Sequence, residues 1–269
     1  VVFLLTSPQS RTMSAVDSVT SRVRRYGTMV GLGLLGVAGL GVATGWRLSA
    51  GANLKPDVVG PLVVRQVVVP GTLAVAAGIL GAVVTERLSL RSHVYEWAKS
   101  GQIDLPSRDT LVAAIGVGLT VGIGVLIANL AVGQAGVDGS TDLATLLVAL
   151  PGRLLYLGIT EEILLRWGFM SLVAYLGLRW FAVEDDTPAQ RYVMWGAILA
   201  TALVLPAIHL ARLSGPAASN PLTVLWILGT NGLPGVVFGA LYWKRSLELA
   251  MIAHVAAYLP LVVGSLVAV

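Results

Sequence analysis

The chain has no cysteine. That excludes a disulfide framework, a thiolate metal site and a cysteine nucleophile. Charge is also scarce. Asp, Glu, Lys and Arg make up 12% of the 269 residues, against roughly 25% in an ordinary soluble domain. Only three histidines occur. Evenly spaced, alternating strands of the kind that build an outer-membrane barrel are missing. Neither H-E-x-x-H nor G-x-S-x-G is present, which removes the zincin and serine-hydrolase signatures.

What the chain has instead is long apolar runs. It is 56% hydrophobic, with a mean hydropathy of +0.82. A helix needs about 20 such residues to cross a bilayer, and the runs recur along the whole chain. The pattern predicts an all-α fold, a polytopic transmembrane bundle of seven to eight helices. The expected spans are about 26–46, 58–85 (with Pro61 and Pro70 as kinks), 110–132, 190–211, 221–243 and 247–268. A seventh apolar stretch, 143–182, is too long for one straight span, and Pro151-Gly152-Arg153 interrupts it. It reads as two helices or one bent one.

The expected organisation is a disordered or amphipathic tail over 1–20, N-terminal transmembrane helices over 21–142, and a functional core over 143–269. The opening 1-VVFLLTSPQSRTM-13 is not expected to act as a signal peptide, because its apolar run is short and no basic residue precedes it. The net charge of +4 does not point to nucleic acid, since the basic residues lie mostly in loops. Arg22, Arg24 and Arg25, and the loop 86–109, carry the positive charge typical of a cytoplasmic face. The loop 133–142 has two Asp and no Lys or Arg, and reads as external. The expected partners are the lipid bilayer and a membrane-associated peptide or protein, and the expected location is the plasma membrane. Orientation of the C-terminal half depends on 143–182. One crossing puts Lys244 and Arg245 inside, and two put them outside.

The pairs Gly27/Gly31, Gly41/Gly45, Gly118/Gly122 and Gly235/Gly239 have the spacing that lets helices approach closely.

Ionisable groups deep in a bilayer are costly and usually functional. The stretch 158-GITEEILLRWGF-169 carries three. Glu162 and Arg166 are four apart, about 40° around a helix, and can pair. Glu161 points about 100° away from Glu162, with Gly158 leaving a groove beside it. His209 follows Pro206 by three residues, and His254 and Tyr258 share a helix face. Glu161, His209, His254 and the Tyr258 hydroxyl could together activate water and stabilise an oxyanion. Glu161 with the two histidines could instead hold a divalent metal such as zinc. A proton or cation pathway, or a structural ion-pair lock, would use the same residue types.

These residues also form a recognisable order. The motif 161-EEILLR-166, then 205-LPAIH-209, then 235-GVVFGALYWKRSLELAMIAHVAAY-258 resembles the CPBP family. That family contains the type 2 CAAX prenyl proteases and prokaryotic bacteriocin-processing or immunity proteins. The resemblance covers about 143–260 and implies intramembrane peptide hydrolysis. By that likeness Glu161, with His209, deprotonates a water, and His254 helps bind the oxyanion. Glu162 and Arg166 hold the site in shape. Metal-assisted and metal-free chemistry are both compatible with the family. Two positions depart from its pattern: Leu205 stands where Phe is usual, and Tyr258 where Asn is usual. The second departure leaves open a catalytically degenerate member. The Val, Ala and Gly content suggests a prokaryotic protein.

Overall fold

The computed structural model describes residues 8–88, 90–133, 143–181, 187–213 and 220–268, and among these the regular structure is entirely helical. Helix α1 spans Pro8–Trp46 and runs on as a π-helical turn through Gly51. It starts within the stretch expected as a tail, whose first seven residues lie outside the described ones. Next come α2 (Pro56–Thr85), which continues past Pro61 and Pro70, the short α3 (His93–Ser100) and α4 (Arg108–Ala131).

The run after the acidic loop is a single helical path. It comprises α5 (Leu143–Leu155), π-helical segments Tyr156–Thr160 and Ile163–Met170, and α6 (Ser171–Trp180). Then follow α7 (Pro188–Ala202) and α8 (Val204–Arg212), which break at Leu203. Pro206 has no N–H for the Ala202 carbonyl four residues back, which accounts for the break. Helix α9 (Pro221–Ile227) continues through a π-helical Leu228–Gly232 into α10 (Leu233–Lys244), and α11 (Leu247–Ala268) closes the chain. Most of the loop 133–142 lies outside the described residues.

Six helices are long and apolar enough to cross a membrane: Val19–Ala50, Pro56–Thr85, Arg108–Ala131, Pro188–Arg212, Pro221–Lys244 and Leu247–Val267. With 143–180 and the short α3 they make eight helical rods among the described residues, and the chain is an integral multi-pass membrane protein. Large apolar side chains such as Val64, Val69, Ile127, Leu225 and Val263 stand mostly exposed, a surface suited to acyl chains and unsuited to water.

Small residues set the packing. A side chain added at Gly118 would strike the Ala253 carbonyl, and one at Gly122 the Ala257 carbonyl, so α4 and α11 touch backbone to backbone. Gly41 and Gly45 sit against Val67 and Val63 of α2, and Gly235 and Gly239 against Ala202 and Ile198 of α7. Gly27 and Gly31 have open space beside them and do not serve as a contact. Their spacing matches the motif, but among the described residues nothing packs there.

One end of the bundle is knitted by polar contacts. Arg24 Nε donates to the Ala98 carbonyl at 2.5 Å, and Arg25 pairs with Glu86. The Tyr95 hydroxyl donates to Glu86 at 2.7 Å. Burial and that carboxylate hold the Tyr95 proton well above the usual phenol range. Glu248, in the first turn of α11, accepts from Ser92 Oγ at 2.6 Å and from the Val94 amide at 3.0 Å. The Leu247 amide donates to the Arg91 carbonyl. Lys244 and Arg245 therefore stand at the same end as Arg24, Arg91 and Lys99. This is the arrangement that one crossing by 143–180 requires, with basic residues of both halves gathered at one end.

Gly118→Val is expected to lose about 1–3 kcal/mol or more by overpacking, read as a lower thermal midpoint in detergent. Gly116→Ala, facing open space, is expected to leave the midpoint level or raise it.

Candidate active site

The motif 161-EEILLR-166 sits where the long helix is wound most loosely. The Glu161 amide bonds to the Tyr156 carbonyl five residues back, as does the Ser171 amide to the Arg166 carbonyl. Such π-type turns displace side chains from the regular helical positions and occur often at functional sites. The surrounding helix is pinned by its own side chains. Thr160 Oγ1 donates to the Gly33 carbonyl of α1 at 2.7 Å. Trp167 Nε1 donates to the Gly78 carbonyl of α2 at 3.2 Å, and Ser171 Oγ meets the Tyr242 hydroxyl of α10 at 3.0 Å.

The two glutamates have different surroundings. Glu162 is 0% exposed and Arg166 2%. Arg166 Nη1 lies 3.1 Å from Glu162 Oε1, an ion pair without an aligned hydrogen bond. The same Oε1 accepts from His254 Nδ1 at 2.7 Å. Arg166 also donates through Nη2 to the Gly235 carbonyl at 3.2 Å and lies over the Phe238 ring at 5.7 Å. Phe238 stacks on His254, with centroids 4.7 Å apart and planes 25° from parallel. One buried carboxylate thus gathers side chains from three helices.

Glu161 is half-buried and lines a cavity of about 1080 Å³. His209, His254, Arg166, Leu205 and Tyr258 line the same cavity. Every residue expected at the site therefore borders this space except Glu162, which lies behind its wall. The charged and titratable groups that act on Glu161 are His254, Arg166, Glu162 and His209. His209 Nδ1 donates to the Leu205 carbonyl at 2.8 Å, which leaves Nε2 as its free base.

Two expectations are corrected. Gly158 does not open a groove beside Glu161, because Val255 of α11 fills the space a side chain would take. The carboxylate that His254 meets is Glu162, already neutralised by Arg166, and not Glu161. Among the described residues, no three His, Asp or Glu side chains are grouped to hold a metal ion. Glu161, His209 and His254 share a cavity without converging on one point, so a zinc site of those ligands does not fit.

The sequence reading missed Asn231 and Thr230, which border the cavity from the π-helical turn before α10. Asn231 Nδ2 donates to the Ile227 carbonyl and to Thr230 Oγ1, each at 3.1 Å. Its motif-like signal was weak: a lone T-N pair between glycines.

A family model describing type II CAAX prenyl endopeptidases, Rce1-like, matches residues 143–259. This part of the chain, a little under half of it, is similar to the Rce1-like family. The match starts where α5 starts and ends one residue beyond Tyr258. It therefore holds the Glu-Glu pair, both cavity histidines and the whole polar cluster. That likeness supports a peptide hydrolase within a multi-pass membrane protein. No curated protein and no solved structure matches the chain.

Glu162→Ala is expected to cost roughly 3–5 kcal/mol by leaving Arg166 buried and unpaired. Glu162→Leu combined with Arg166→Met should restore most of that loss, as measured by thermal midpoints in detergent. A single-variant midpoint equal to wild type would rule out the pair as a structural support.

Proposed function

We propose that the protein is an intramembrane endopeptidase in which Glu161, assisted by His209, activates a water against a peptide bond of a membrane-associated substrate. One observation carries this reading. Glu161 is on the cavity surface with both histidines, while the neighbouring Glu162 is withdrawn into a neutral cluster.

The steps follow from the available atoms. Glu161 takes a proton as the water oxygen attacks the scissile carbonyl carbon. His209, anchored through Nδ1, keeps Nε2 to orient the water or relay that proton. The carbonyl oxygen gains negative charge, and a donor aimed at it is commonly worth 10²–10³ in rate. His254 has Nδ1 committed to Glu162, so only its Nε2 is left to face the oxyanion. The C–N bond then breaks as the leaving nitrogen takes the proton held by Glu161. Tyr258 and Asn231 border the cavity and supply polar groups where the family's Asn is absent. Since the ligand geometry does not suit a metal, no step is assigned to one.

The test uses purified protein in detergent with a library of membrane-protein peptides, cleavage being scored by mass spectrometry. Glu161→Gln is expected to lose at least about 10²-fold in cleavage rate, with the thermal midpoint unchanged. Chelator treatment is expected to leave wild-type cleavage intact. Undiminished cleavage by Glu161→Gln would end this mechanism, and chelator-sensitive cleavage restored by zinc would replace it with a metal-assisted one.

A further inference from the structure

The cavity has two ends of different character. Its deep end is formed by Leu165, Arg166 and Phe238, all buried. Its other end reaches the ends of several helices, where Arg47, Gly133 and Arg212 are exposed. Those helix ends are opposite the basic, polar-knitted end of the bundle. Helix α1 enters at Arg24 and leaves at Arg47, α4 enters at Arg108 and leaves near Gly133, and α7–α8 leaves at Arg212. The mouth therefore faces away from the cytoplasm by the positive-inside rule.

Three arginines line the cavity towards this end: Arg47 of the first rod, Arg153 of α5 and Arg212 of α8. Among the described residues, the only carboxylate on the lining is Glu161. Neither Arg47 nor Arg212 makes a side-chain hydrogen bond or ion pair among the described residues. Cations on the non-cytoplasmic side run against the topology bias, so membrane insertion does not account for them. A cleft bordered by one sign of charge within low-dielectric walls focuses its field and draws the opposite charge inward. Guanidinium groups are also the side chains best shaped to grip carboxylates.

We infer that the Arg47–Arg153–Arg212 mouth is a docking site for an acidic peptide segment that enters from the non-cytoplasmic side. This deepens the peptidase reading by naming the charge and side of its substrate. The mouth's own charge and exposure do not depend on turnover.

The absence of cysteine makes a direct test possible. Thr44→Cys places one thiol on the cavity wall a turn from Arg47, and Leu213→Cys gives a second reporter beside Arg212. Membrane-impermeant anionic and cationic methanethiosulfonates are applied to intact cells, to inside-out vesicles, and to protein reconstituted in phosphatidylcholine. Each rate is normalised to that reagent's rate with a free thiol.

The expected result is labelling from outside intact cells, with the anionic reagent favoured by roughly tenfold. Arg47→Gln with Arg212→Gln should erase that preference. An acetylated, amidated Glu-Ala octapeptide should slow labelling, and its Gln-Ala counterpart should not. A cationic or absent preference would overturn the proposal, as would labelling only in inside-out vesicles, or no labelling of either reporter. Protection by phosphatidylglycerol but not by the acidic peptide would assign the mouth to a lipid headgroup and overturn it as well. Labelling rates require no catalysis, so an inactive Glu161→Gln background gives the same readout. A failed charge preference is thereby distinguishable from a failed peptidase.

Discussion

A carboxylate with no access to water must be neutralised where it stands, and Glu162 imposes that requirement on the centre of this bundle. An isolated ionised group in apolar surroundings would cost several kcal/mol. Arg166 answers the charge from the same helix, and His254 answers it from α11. Arg166 in turn needs acceptors, and it reaches the Gly235 carbonyl and the Phe238 face on α10. The positions of α10 and α11 relative to the motif helix follow from this cluster. An apolar seam of the same helices would tolerate sliding, whereas a charged contact has one geometry.

The small residues make that geometry reachable. Gly118 and Gly122 bring α4 onto the backbone of α11, which bears His254. Gly36 and Gly39 let α1 close on α5 near Leu155 and Gly152, and Thr160 and Trp167 then tie the motif helix to α1 and α2. In lipid there is little hydrophobic force between helices, so close van der Waals packing and interhelical hydrogen bonds must provide the cohesion. The π-helical turns on either side of the Glu-Glu pair depart from ideal helix geometry, and the tethers on both sides hold them.

The consequence for chemistry is a division between two adjacent residues. Glu162 is spent on structure, and its neighbour Glu161, rotated away, keeps a cavity-facing carboxylate. His254 belongs to both sides, since one nitrogen holds the cluster and the ring still borders the cavity. Residues 143–259 carry all of these groups, and α1, α2 and α4 add to the cavity walls.

Composition and order alone determined that the chain is a helical membrane protein and which few ionisable residues matter. Scarce charge in long apolar runs admits no other fold class, and a costly intramembrane charge stands out against such a background. The four-residue spacing likewise made the Glu162–Arg166 pair legible, because local helix geometry fixes it. Other features depended on which helices become neighbours. The sequence could not assign His254 to Glu162, since the two are 92 positions apart and either glutamate was a chemically reasonable partner. It could not separate Gly27/Gly31, which face open space, from Gly118/Gly122, which face a backbone, because the spacing is identical. Nor could it gather Arg47, Arg153 and Arg212 around one opening or place Lys244 beside Arg91. Those relations depend on how eight rods pack, and a local pattern records only which face of a rod is apolar, not what meets it.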